Sequence, residues 1–427
     1  MQTKEVWLID YARTAFSRSR PREPERDVFG EIRGDELLAT LIMKFFDGKL
    51  ADKGITKEDI DEITVGTAMG VGEQWTYGGR TAAFLADFPF RTSSVFIDKQ
   101  CGSAGAGMHM GIMEIMTGFS KCVLSTGIEH MTRVSMLNEF IRPNQKLVDK
   151  KSEWYRPRQD FLTTTNMIQT AQKLYEQEIP NFTKEDLDKF GVRSHNLTVK
   201  SQEEGWFKGE IIPIKGHVEG NVEEPLMVDR DMAARKSTLE GVAGLRRLST
   251  PFFLEKNGGK AGYKEREGTG QGVITAGNSS PLNAGATACI LMEAEEAKKR
   301  GLEPLARVVS IGFAGVDPTV MGRGPVPASE MALKHAGLNA DDIDYWEINE
   351  AFTIVALNCM KVLNIPEEKV NVKGGATAIG HPLGATMVRL PGTLARILKD
   401  KKAKYGIANA CVGGGQGVAT LLENLDA

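Results

Sequence analysis

Short apolar runs alternate along this chain with longer segments in which small and apolar residues recur at helical spacing. The run SSVFID precedes the segment CGSAGAGMHMGIMEIMTG, which is followed by the apolar run KCVLSTG. The order recurs near the C-terminus, where VNVKGGATAIGHPLGATMVRLPGTLARIL precedes KYGIANACVGG. Strands that alternate with helices at this spacing are typical of α/β units. The pattern therefore predicts an α/β fold.

Two similar segments indicate that the chain contains an internal duplication. GITKEDIDEITVGTA begins at Gly54 and GLNADDIDYWEINEA at Gly337, 283 positions later, and each follows a helix-like apolar pattern. The same offset places Cys101 opposite position 384, three residues past His381. Two related halves that face each other would therefore bring a cysteine loop and a histidine loop to one site.

The segment between the two halves has a different composition. Residues from about 131 to 281 contain charge-rich helical patterns and a loop-like run of Gly, Lys and Glu in NGGKAGYKEREGTGQG. We predict an inserted domain that caps the site, with a surface excursion as the alternative. The predicted N-terminal half comprises residues 1–130 and about 282–303, the inserted domain 131–281, and the C-terminal half 304–427.

The composition of the chain argues against several kinds of partner and indicates the redox state of its compartment. The net charge of −3 gives no overall attraction to nucleic acid or to an anionic membrane, and no apolar stretch is long enough to span a bilayer. The N-terminal segment becomes polar too soon for a signal peptide. Five cysteines without a C-x-x-C pair argue against a disulfide framework or a zinc site and fit a reducing compartment. We therefore expect a cytoplasmic protein with no bound metal, no membrane span and no nucleic-acid partner.

Two of the cysteines lie in glycine-rich segments beside predicted strands. Cys101 opens a helical segment, where the positive end of the helix dipole is expected to lower the thiol pKa and enrich the thiolate. Cys411 precedes four glycines in five residues, whose bare N–H groups suit an oxyanion or the passage of a narrow ligand. The alternatives are an inert buried cysteine and a tight turn before the last strand. The other cysteines are predicted to pack in the core, and these are Cys122, Cys289 and Cys359.

A histidine and an asparagine complete a set of residues suited to thioester chemistry. His381 is the only one of six histidines inside a Gly-rich turn, and Pro382 holds its backbone in a defined direction. A neutral imidazole there can take a thiol proton and then donate to a developing oxyanion. Asn349 begins the segment NEAF, where it either caps a helix or fixes a water beside His381. One cysteine would be the nucleophile and the other the acid/base.

Four motifs in order, CGSAGAG, NEAF, GHPLGAT and CVGGGQG, resemble the signature set of the thiolase family. Segments such as RTAF, TGIEHMTRV and TAGNSSPLNAGATA extend the resemblance over almost the whole chain. It implies the thiolase fold, in which two duplicated halves form five layers, αβαβα, with an inserted loop domain. It also implies a homodimer or homotetramer and is compatible with a small accessory subunit.

The resemblance assigns a role to each catalytic candidate. It implies that His381 activates Cys101, which attacks the 3-keto carbon of a 3-oxoacyl-CoA and becomes acylated. Cys411 would protonate the departing acetyl-CoA carbanion and then deprotonate the incoming CoA thiol, and in synthesis the steps reverse. Asn349, through a water, and His381 would form one oxyanion hole; the N–H groups of Cys101 and Gly413 would form the other. CoA and acyl-CoA are then substrates, and no cofactor is bound permanently.

Four further residues are predicted to contact the substrate. By resemblance, Ser280 lies at the pantetheine arm of CoA and Met167 near it, while Arg246 is a candidate for the CoA phosphates. Asn166 stands where many thiolases have histidine, which motivates the hypothesis of a bulky, branched or aromatic acyl group, as in a benzoylsuccinyl-CoA-type substrate. Aromatic residues of the 131–165 run support it, namely Phe140, Trp154, Tyr155 and Phe161.

Two other functions compete with a thiolase. A ketoacyl-synthase-type condensing enzyme shares the fold and a nucleophilic cysteine, but such enzymes usually combine that cysteine with two histidines or with histidine and asparagine. The cysteine of CVGGGQG argues against it. A non-catalytic relative that binds CoA or lipid should have lost a catalytic residue, and all four motifs are intact.

Overall fold

The computed structural model describes residues 3–136, 143–178, 182–250 and 272–427. Within these ranges the strands are β1 (Val6–Arg13), β2 (Glu62–Gly66), β3 (Ser93–Ile97), β4 (Cys122–His130), β5 (Ile214–Val218), β6 (Asn221–Val228), β7 (Ala284–Glu293), β8 (Ala306–Gly315), β9 (Tyr345–Ile348), β10 (Tyr405–Val412) and β11 (Gln416–Glu423). The α-helices are α1 (Gly34–Phe45), α2 (Arg80–Leu85), α3 (Ser103–Thr117), α4 (Phe161–Thr164), α5 (Met167–Glu178), α6 (Lys184–Glu203), α7 (Leu239–Ala243), α8 (Ala294–Lys299), α9 (Pro325–Ala336), α10 (Thr353–Leu363), α11 (Ala376–Ile379) and α12 (Thr386–Lys401).

Nine strands form one sheet in the order β3-β2-β4-β7-β1-β8-β11-β10-β9. The two halves of this sheet are joined by a short antiparallel pairing of β1 with β8, in which Val6 faces Val308 and Leu8 faces Ala306. Five strands lie on one side of this junction and four on the other. A parallel bridge from Trp346 of β9 to position 370 occupies the place that β3 has in the first half. The two half-sheets therefore have matching topology.

The structure repeats itself at the offset that the sequence predicts. β2 and β9 begin 283 residues apart, and so do α3 and α12. Thr56 and Asn339 each cap a short turn through reciprocal hydrogen bonds with an aspartate. Asp61 directly precedes β2 and Asp344 directly precedes β9, and each accepts two backbone N–H bonds at the start of the parallel neighbouring strand, β4 or β10. The two halves are thus duplicated in local chemistry as well as in topology.

Three apolar clusters separate five layers. One packs α1 and α2 against the first half-sheet, one surrounds α3 and α12, and one packs α9 and α10 against the second half-sheet. The central helices approach closely because Gly105 has no side chain: a Cβ there would lie 2.7 Å from Cβ of Met387. The predicted αβαβα arrangement is confirmed, and it places the N-terminal ends of α3 and α12 side by side.

The region between the halves contains α4–α7 and the separate β5–β6 hairpin. Most of the predicted loop NGGKAGYKEREGTGQG lies at 251–271, outside the described residues. A buried ionic cluster fastens the described part to the sheet. Arg13 of β1 donates to Asp231 at 2.6 and 2.9 Å and to Glu210 at 2.7 Å, with all three side chains fully buried. Burial alone would raise the pKa of Glu210, but Arg13 and Arg396 lower it overall.

Replacing Asp231 by alanine is expected to lower the free energy of unfolding by about 3–5 kcal/mol, because the guanidinium of Arg13 loses its bidentate partner while it stays buried. Urea denaturation followed by circular dichroism measures the effect. Asp229→Ala removes an exposed carboxylate two residues away and should leave the midpoint almost unchanged. Equal midpoints for the two variants would show that the ionic cluster does not stabilise the fold.

Candidate active site

Cys101 lies in a 3₁₀ turn, Gln100–Gly102, between β3 and α3. Gln100 has φ +48°, a left-handed conformation that is uncommon for a residue other than glycine. Ser103 holds the turn, because its hydroxyl donates to the carbonyl of Gln100 at 2.6 Å and accepts from the N–H of Lys99 at 2.9 Å. The cysteine is thereby fixed at the N-terminal end of a central helix.

Cys411 lies at the end of β10, beside the hairpin turn to β11. Gly414 and Gly415 have φ of 79° and 77°, which only glycine adopts readily. The tight-turn interpretation of the glycine run is therefore correct, and the turn also reaches the other cysteine loop. The ammonium of Lys99 donates to the side-chain oxygen of Gln416 at 2.7 Å and ties the two loops together.

The two thiols share one environment. The backbone N–H of Gly413 lies close enough to the sulfur of Cys101 to lower the pKa of that thiol. A Cβ at Gly102 would lie only 2.9 Å from Cγ2 of Val412, so the turn of Cys101 packs closely against the side chain that follows Cys411. Burial raises the pKa of Cys411 well above its usual value, and charge on Cys101 raises it further. The two cysteines thus lie within electrostatic range of each other, with Cys101 8% exposed and Cys411 fully buried.

The thiol of Cys101 is protonated at neutral pH. Burial raises the pKa of Cys101 to about 12, and the N–H bond from Gly413 offsets this only in part; the charge of Glu129 raises the pKa further. The expectation that the helix end would enrich the thiolate is wrong in its net direction, because desolvation outweighs the favourable dipole and N–H groups. Attack by Cys101 therefore requires a base that takes its proton.

His381 is oriented by a hydroxyl on the first turn of α12. Thr386 donates its only hydroxyl hydrogen to the carbonyl of Pro382 at 2.9 Å, so it must accept from Nδ1–H of His381 at 2.6 Å. Nε2 of the ring is then unprotonated, and Nδ2 of Asn349 lies 3.4 Å from it. Burial, with a smaller effect of Arg389, lowers the pKa of His381 to about 3. The ring is a neutral proton acceptor with a fixed tautomer.

Asn349 directly follows β9 and is fully buried, and its Oδ1 has no hydrogen-bond partner among the described residues. A buried amide oxygen without a partner is costly, so this atom has room for a water or a ligand group. The prediction that Asn349 acts through a water agrees with that free oxygen. The alternative, in which it only caps a helix, does not agree, because α10 begins four residues later and Phe352 occupies its N-cap position.

Buried polar residues that sequence reasoning passed over hold these groups in place. Asn283 accepts the N–H of His381 at 2.8 Å. Glu129 accepts from the N–H groups of Gly384 and Ala68, each at 2.9 Å. Glu350 accepts from Ser194 at 2.6 Å, Asn371 at 2.7 Å and the N–H of Thr377 at 3.0 Å. Asn283 and Glu350 both stand inside quoted motifs, SSPLNAG and NEAF, which was the available signal.

The structure connects only one of the four predicted substrate contacts to the catalytic residues. Ser280 donates to the carbonyl of Ala351, two residues past Asn349, and therefore adjoins the site. Met167 is half-buried at the start of α5, whereas Asn166 is exposed and accepts the N–H of Gln169 as a helix cap. Arg246 is exposed.

The aromatic residues invoked for acyl selection are dispersed. Trp154 is 52% exposed, and Tyr155 and Phe161 are half-buried. Phe140 lies outside the described residues.

Asn349 lies beside His381, Cys411 and Gly413 lie close enough to Cys101 to change thiol pKa values, and the turn of Cys101 contacts the turn that follows His381. Ser280 is connected to the segment after Asn349 through Ala351.

The described residues offer neither a metal-binding cluster nor a membrane-spanning helix. They contain no group of three or more His, Cys, Asp or Glu side chains arranged to hold a metal ion. None of the helices in these ranges has the length and apolar character needed to cross a membrane.

Comparisons with known proteins identify the family. Residues 6–295 match the thiolase N-terminal domain and residues 302–424 the thiolase C-terminal domain. The chain is 35% identical to a 3-ketoacyl-CoA thiolase of Marinobacter nauticus, with 100% of both chains covered, and 36% identical to one of Vibrio parahaemolyticus, with 99% of both covered. The crystal structure of the Bacillus anthracis acetyl-CoA acetyltransferase superposes on this chain with a TM-score of 0.80 at 29% sequence identity. That of human mitochondrial 3-ketoacyl-CoA thiolase superposes with a TM-score of 0.81 at 26% identity. Both superpositions cover 99% of this chain and 100% of the other chain. Since both domains and full-length relatives match, the chain belongs to the thiolase family.

Proposed function

We propose that this protein is a 3-oxoacyl-CoA thiolase, an acyltransferase that cleaves a 3-oxoacyl-CoA with CoA or runs the reverse Claisen condensation. The observation that carries the proposal is the placement of two protonated thiols, Cys101 and Cys411, within electrostatic range of each other, with the turn of Cys101 in contact with the turn that follows His381. A carbon–carbon bond cleavage needs one group that attacks carbon and another that exchanges a proton with carbon. The two sulfurs divide these tasks.

In the first half-reaction His381 accepts the proton of Cys101 at Nε2 while the sulfur attacks the 3-keto carbon. The tetrahedral oxyanion collapses, the bond between C2 and C3 breaks, and its electron pair passes to C2 of the leaving acetyl-CoA. Cys411 gives its proton to that carbon. Its raised pKa supports this role, because a donor must be protonated beforehand. The products are acetyl-CoA and an acyl thioester on Cys101.

In the second half-reaction the Cys411 thiolate takes the thiol proton of the incoming CoA. The CoA sulfur attacks the acyl group, Cys101 leaves, and the proton held by His381 returns to it. The N–H groups of Gly413 and Cys101, both of which lower the pKa of the Cys101 thiol, supply one oxyanion hole. His381 and a water held by Asn349 supply the other, which the free Oδ1 of Asn349 supports.

Mass spectrometry of the intact protein after incubation with acetyl-CoA, which acylates a cysteine without proton transfer to carbon, tests the proposal. We expect an acetyl adduct on Cys101 that persists in Cys411→Ala and is absent from Cys101→Ala, because only the nucleophile carries the acyl group. Peptide mapping locates the adduct, and Cys289→Ala, which changes a core cysteine, is the control. Label on Cys411 would invert the roles, and no label on either cysteine would favour a non-catalytic relative.

The preference for a bulky or aromatic acyl group stays a prediction. Asn166 caps a helix at the surface. The hypothesis of a bulky acyl group is therefore supported only by the replacement of the histidine found in many relatives. Turnover of acetoacetyl-CoA compared with that of an aryl 3-oxoacyl-CoA decides the point. A strong preference for acetoacetyl-CoA would exclude a specialised aryl site.

A homodimer is the assembly that we propose, either alone or within a homotetramer. β3 is an edge strand of the large sheet, and exposed aromatic side chains lie near it. These are Trp75, Tyr77, Phe84 and Phe90, exposed by 62%, 62%, 55% and 93%. An unpaired edge with an adjacent apolar surface is a typical interface in a symmetric assembly. Light scattering should show at least a dimer for the wild type and a monomer for Phe84→Asp/Phe90→Asp. An unchanged mass in that variant would place the interface elsewhere.

The proposal also includes the domain bounds of the chain and its cellular compartment. β7 returns to the N-terminal half-sheet and β8 opens the second, which supports halves that end and begin near residues 303 and 304 around an insertion of 131–281. All five cysteines are free, which supports the cytoplasm as the compartment.

A further inference from the structure

Glu350, the residue after Asn349, has a fully buried side chain that is held by three separate segments of the chain. Its carboxylate accepts hydrogen bonds from the hydroxyl of Ser194 at 2.6 Å, from Nδ2 of Asn371 at 2.7 Å and from the backbone N–H of Thr377 at 3.0 Å. Ser194 lies on α6, in the region between the two halves, whereas the other two donors follow β9 and α10. A side chain of the region between the halves therefore reaches the segment of Asn349.

Asn371 fixes the residues on both sides of Asn349. Its side-chain amide accepts the N–H of Ile348 at 2.8 Å, and it donates to the carbonyl of Ile348 at 2.9 Å as well as to Glu350. The amide thus takes the place of a peptide group from a neighbouring strand at the open edge of β9. Its own backbone has φ +47°, a left-handed conformation that asparagine adopts more readily than most residues. The backbone of Asn349 is therefore held from both directions.

Ser194 also holds the segment that leads to His381. Its hydroxyl oxygen accepts the N–H of Gly375 at 3.0 Å, while its hydrogen is donated to Glu350. Gly375 is the N-cap residue of α11, and this short helix ends two residues before His381. A Cβ on Gly375 would lie 2.2 Å from Oε1 of Glu350, so the carboxylate packs directly against this segment. One hydroxyl therefore joins the segment of Asn349 to that of His381.

The position of Ser194 is set by a long helix. α6 contains 20 residues, Ser194 is fully buried on it, and the helix packs against α11. The approach is close because Gly374, with φ +91°, has no side chain: a Cβ there would lie 2.0 Å from Oγ1 of Thr198, one turn further along α6. The hydroxyl of Thr198 donates to the carbonyl of Ser194 at 2.9 Å. The hydroxyl of Ser194 is therefore presented from a rigid element.

The two segments that Ser194 joins carry the residues proposed for one oxyanion hole. Nδ2 of Asn349 lies 3.4 Å from Nε2 of His381. Groups that stabilise an oxyanion must be held to within about 0.5 Å of their working positions. Every side-chain oxygen of Ser194 and Glu350 has a hydrogen-bond partner, and a fully bonded buried network favours a single arrangement. Loss of the Ser194 hydroxyl would remove one link to each segment.

We propose that Ser194 is a positioning residue for the oxyanion hole of Asn349 and His381, and that it acts through Glu350 and the N–H of Gly375. The inference rests on the proposed thiolase function, which gives the oxyanion hole its purpose. Because the hydroxyl of Ser194 is buried and bonded within the protein, it affects the chemical steps and not the binding of substrate. The region between the halves then takes part in placing the catalytic residues.

Steady-state thiolysis of acetoacetyl-CoA by Ser194→Ala tests this role. We expect kcat to fall about 10- to 100-fold, with the KM values for acetoacetyl-CoA and CoA within about threefold of the wild type, because displaced catalytic groups weaken only the transition state. Ser194→Cys keeps the shape but supplies a weak donor and acceptor, so its kcat should be intermediate. Ser201→Ala, the matched control, removes another buried hydroxyl two turns along α6 and should keep the wild-type kcat. A wild-type kcat in Ser194→Ala, or a rise in KM alone, would overturn the proposal.

Crystal structures of the wild type and of Ser194→Ala give a readout that needs no turnover. We expect Nδ2 of Asn349 and Nε2 of His381 to lie at least about 0.5 Å farther apart in the variant, and Ser201→Ala to keep the wild-type separation. An unchanged separation in Ser194→Ala would overturn the positioning role even if kcat fell. The thiolase function is judged separately, by the acetyl adduct on Cys101 of the wild type. Absence of that adduct would contradict the function and leave the measured separation as the test of the link.

Discussion

A His381→Ala variant is expected to lose about four orders of magnitude in kcat/KM for thiolysis. Burial raises the pKa of the Cys101 thiol to about 12, so attack depends on a base, and Nε2 of His381 is the fixed acceptor. A general base contributes about 10²–10⁴ and an oxyanion donor about 10²–10³, but the two overlap in one residue and do not simply multiply. Steady-state thiolysis of acetoacetyl-CoA measures the loss.

The control for that experiment is His335→Ala, which changes an exposed histidine at the end of α9 and should leave kcat/KM almost unchanged. Circular dichroism establishes that the His381 variant is folded. If His381→Ala kept activity within about tenfold of the wild type, another group would be the base for Cys101. The proposed order of proton transfers would then be wrong.

The parts of the fold that the sequence predicts are those set by local chemistry. Thr56 and Asn339 cap equivalent turns because each is followed three residues later by an aspartate, a pattern visible in GITKEDID and GLNADDID. The offset of 283 positions also places the turns of Cys101 and His381 at equivalent points of the two halves. In the structure the turn of Cys101 contacts the turn that follows His381. Since duplicated halves have equivalent helix ends, this part of the site follows from the repeat alone.

The parts that could not be predicted depend on distant contacts. The pKa of Cys101 is set by burial from both halves and by Gly413, so a helix-end argument gives the wrong sign. Asn283 holds His381 from 98 positions away, and Arg13 reaches Asp231 across 218 positions. Asn166 stands where many thiolases have a histidine, but here its side chain is exposed and caps a helix. Sequence similarity identifies a position and leaves its surroundings open.

A Cys411→Ala variant is expected to lose about three orders of magnitude in kcat while it keeps the ability to be acylated on Cys101. Alanine removes the proton donor to C2 of the departing acetyl-CoA, and acid–base catalysis of this kind contributes about 10²–10⁴. Acylation of Cys101 by acetyl-CoA involves no proton transfer to carbon, so that half-reaction should persist. The measurements are kcat for thiolysis and the incorporation of solvent deuterium at C2 of acetyl-CoA.

Deuterium incorporation separates this role from a structural one. Cys359→Ala, the matched control, removes another buried thiol, whose sulfur lies 3.7 Å from Nδ2 of Asn409 on β10, the strand of Cys411. It should leave both kcat and exchange near wild-type values, whereas Cys411→Ala should abolish exchange. Exchange that continued at the wild-type rate in Cys411→Ala would mean that another group handles the proton on carbon. Cys411 would then keep at most its role toward the thiol of the incoming CoA, and its assignment as the acid/base for carbon would be wrong.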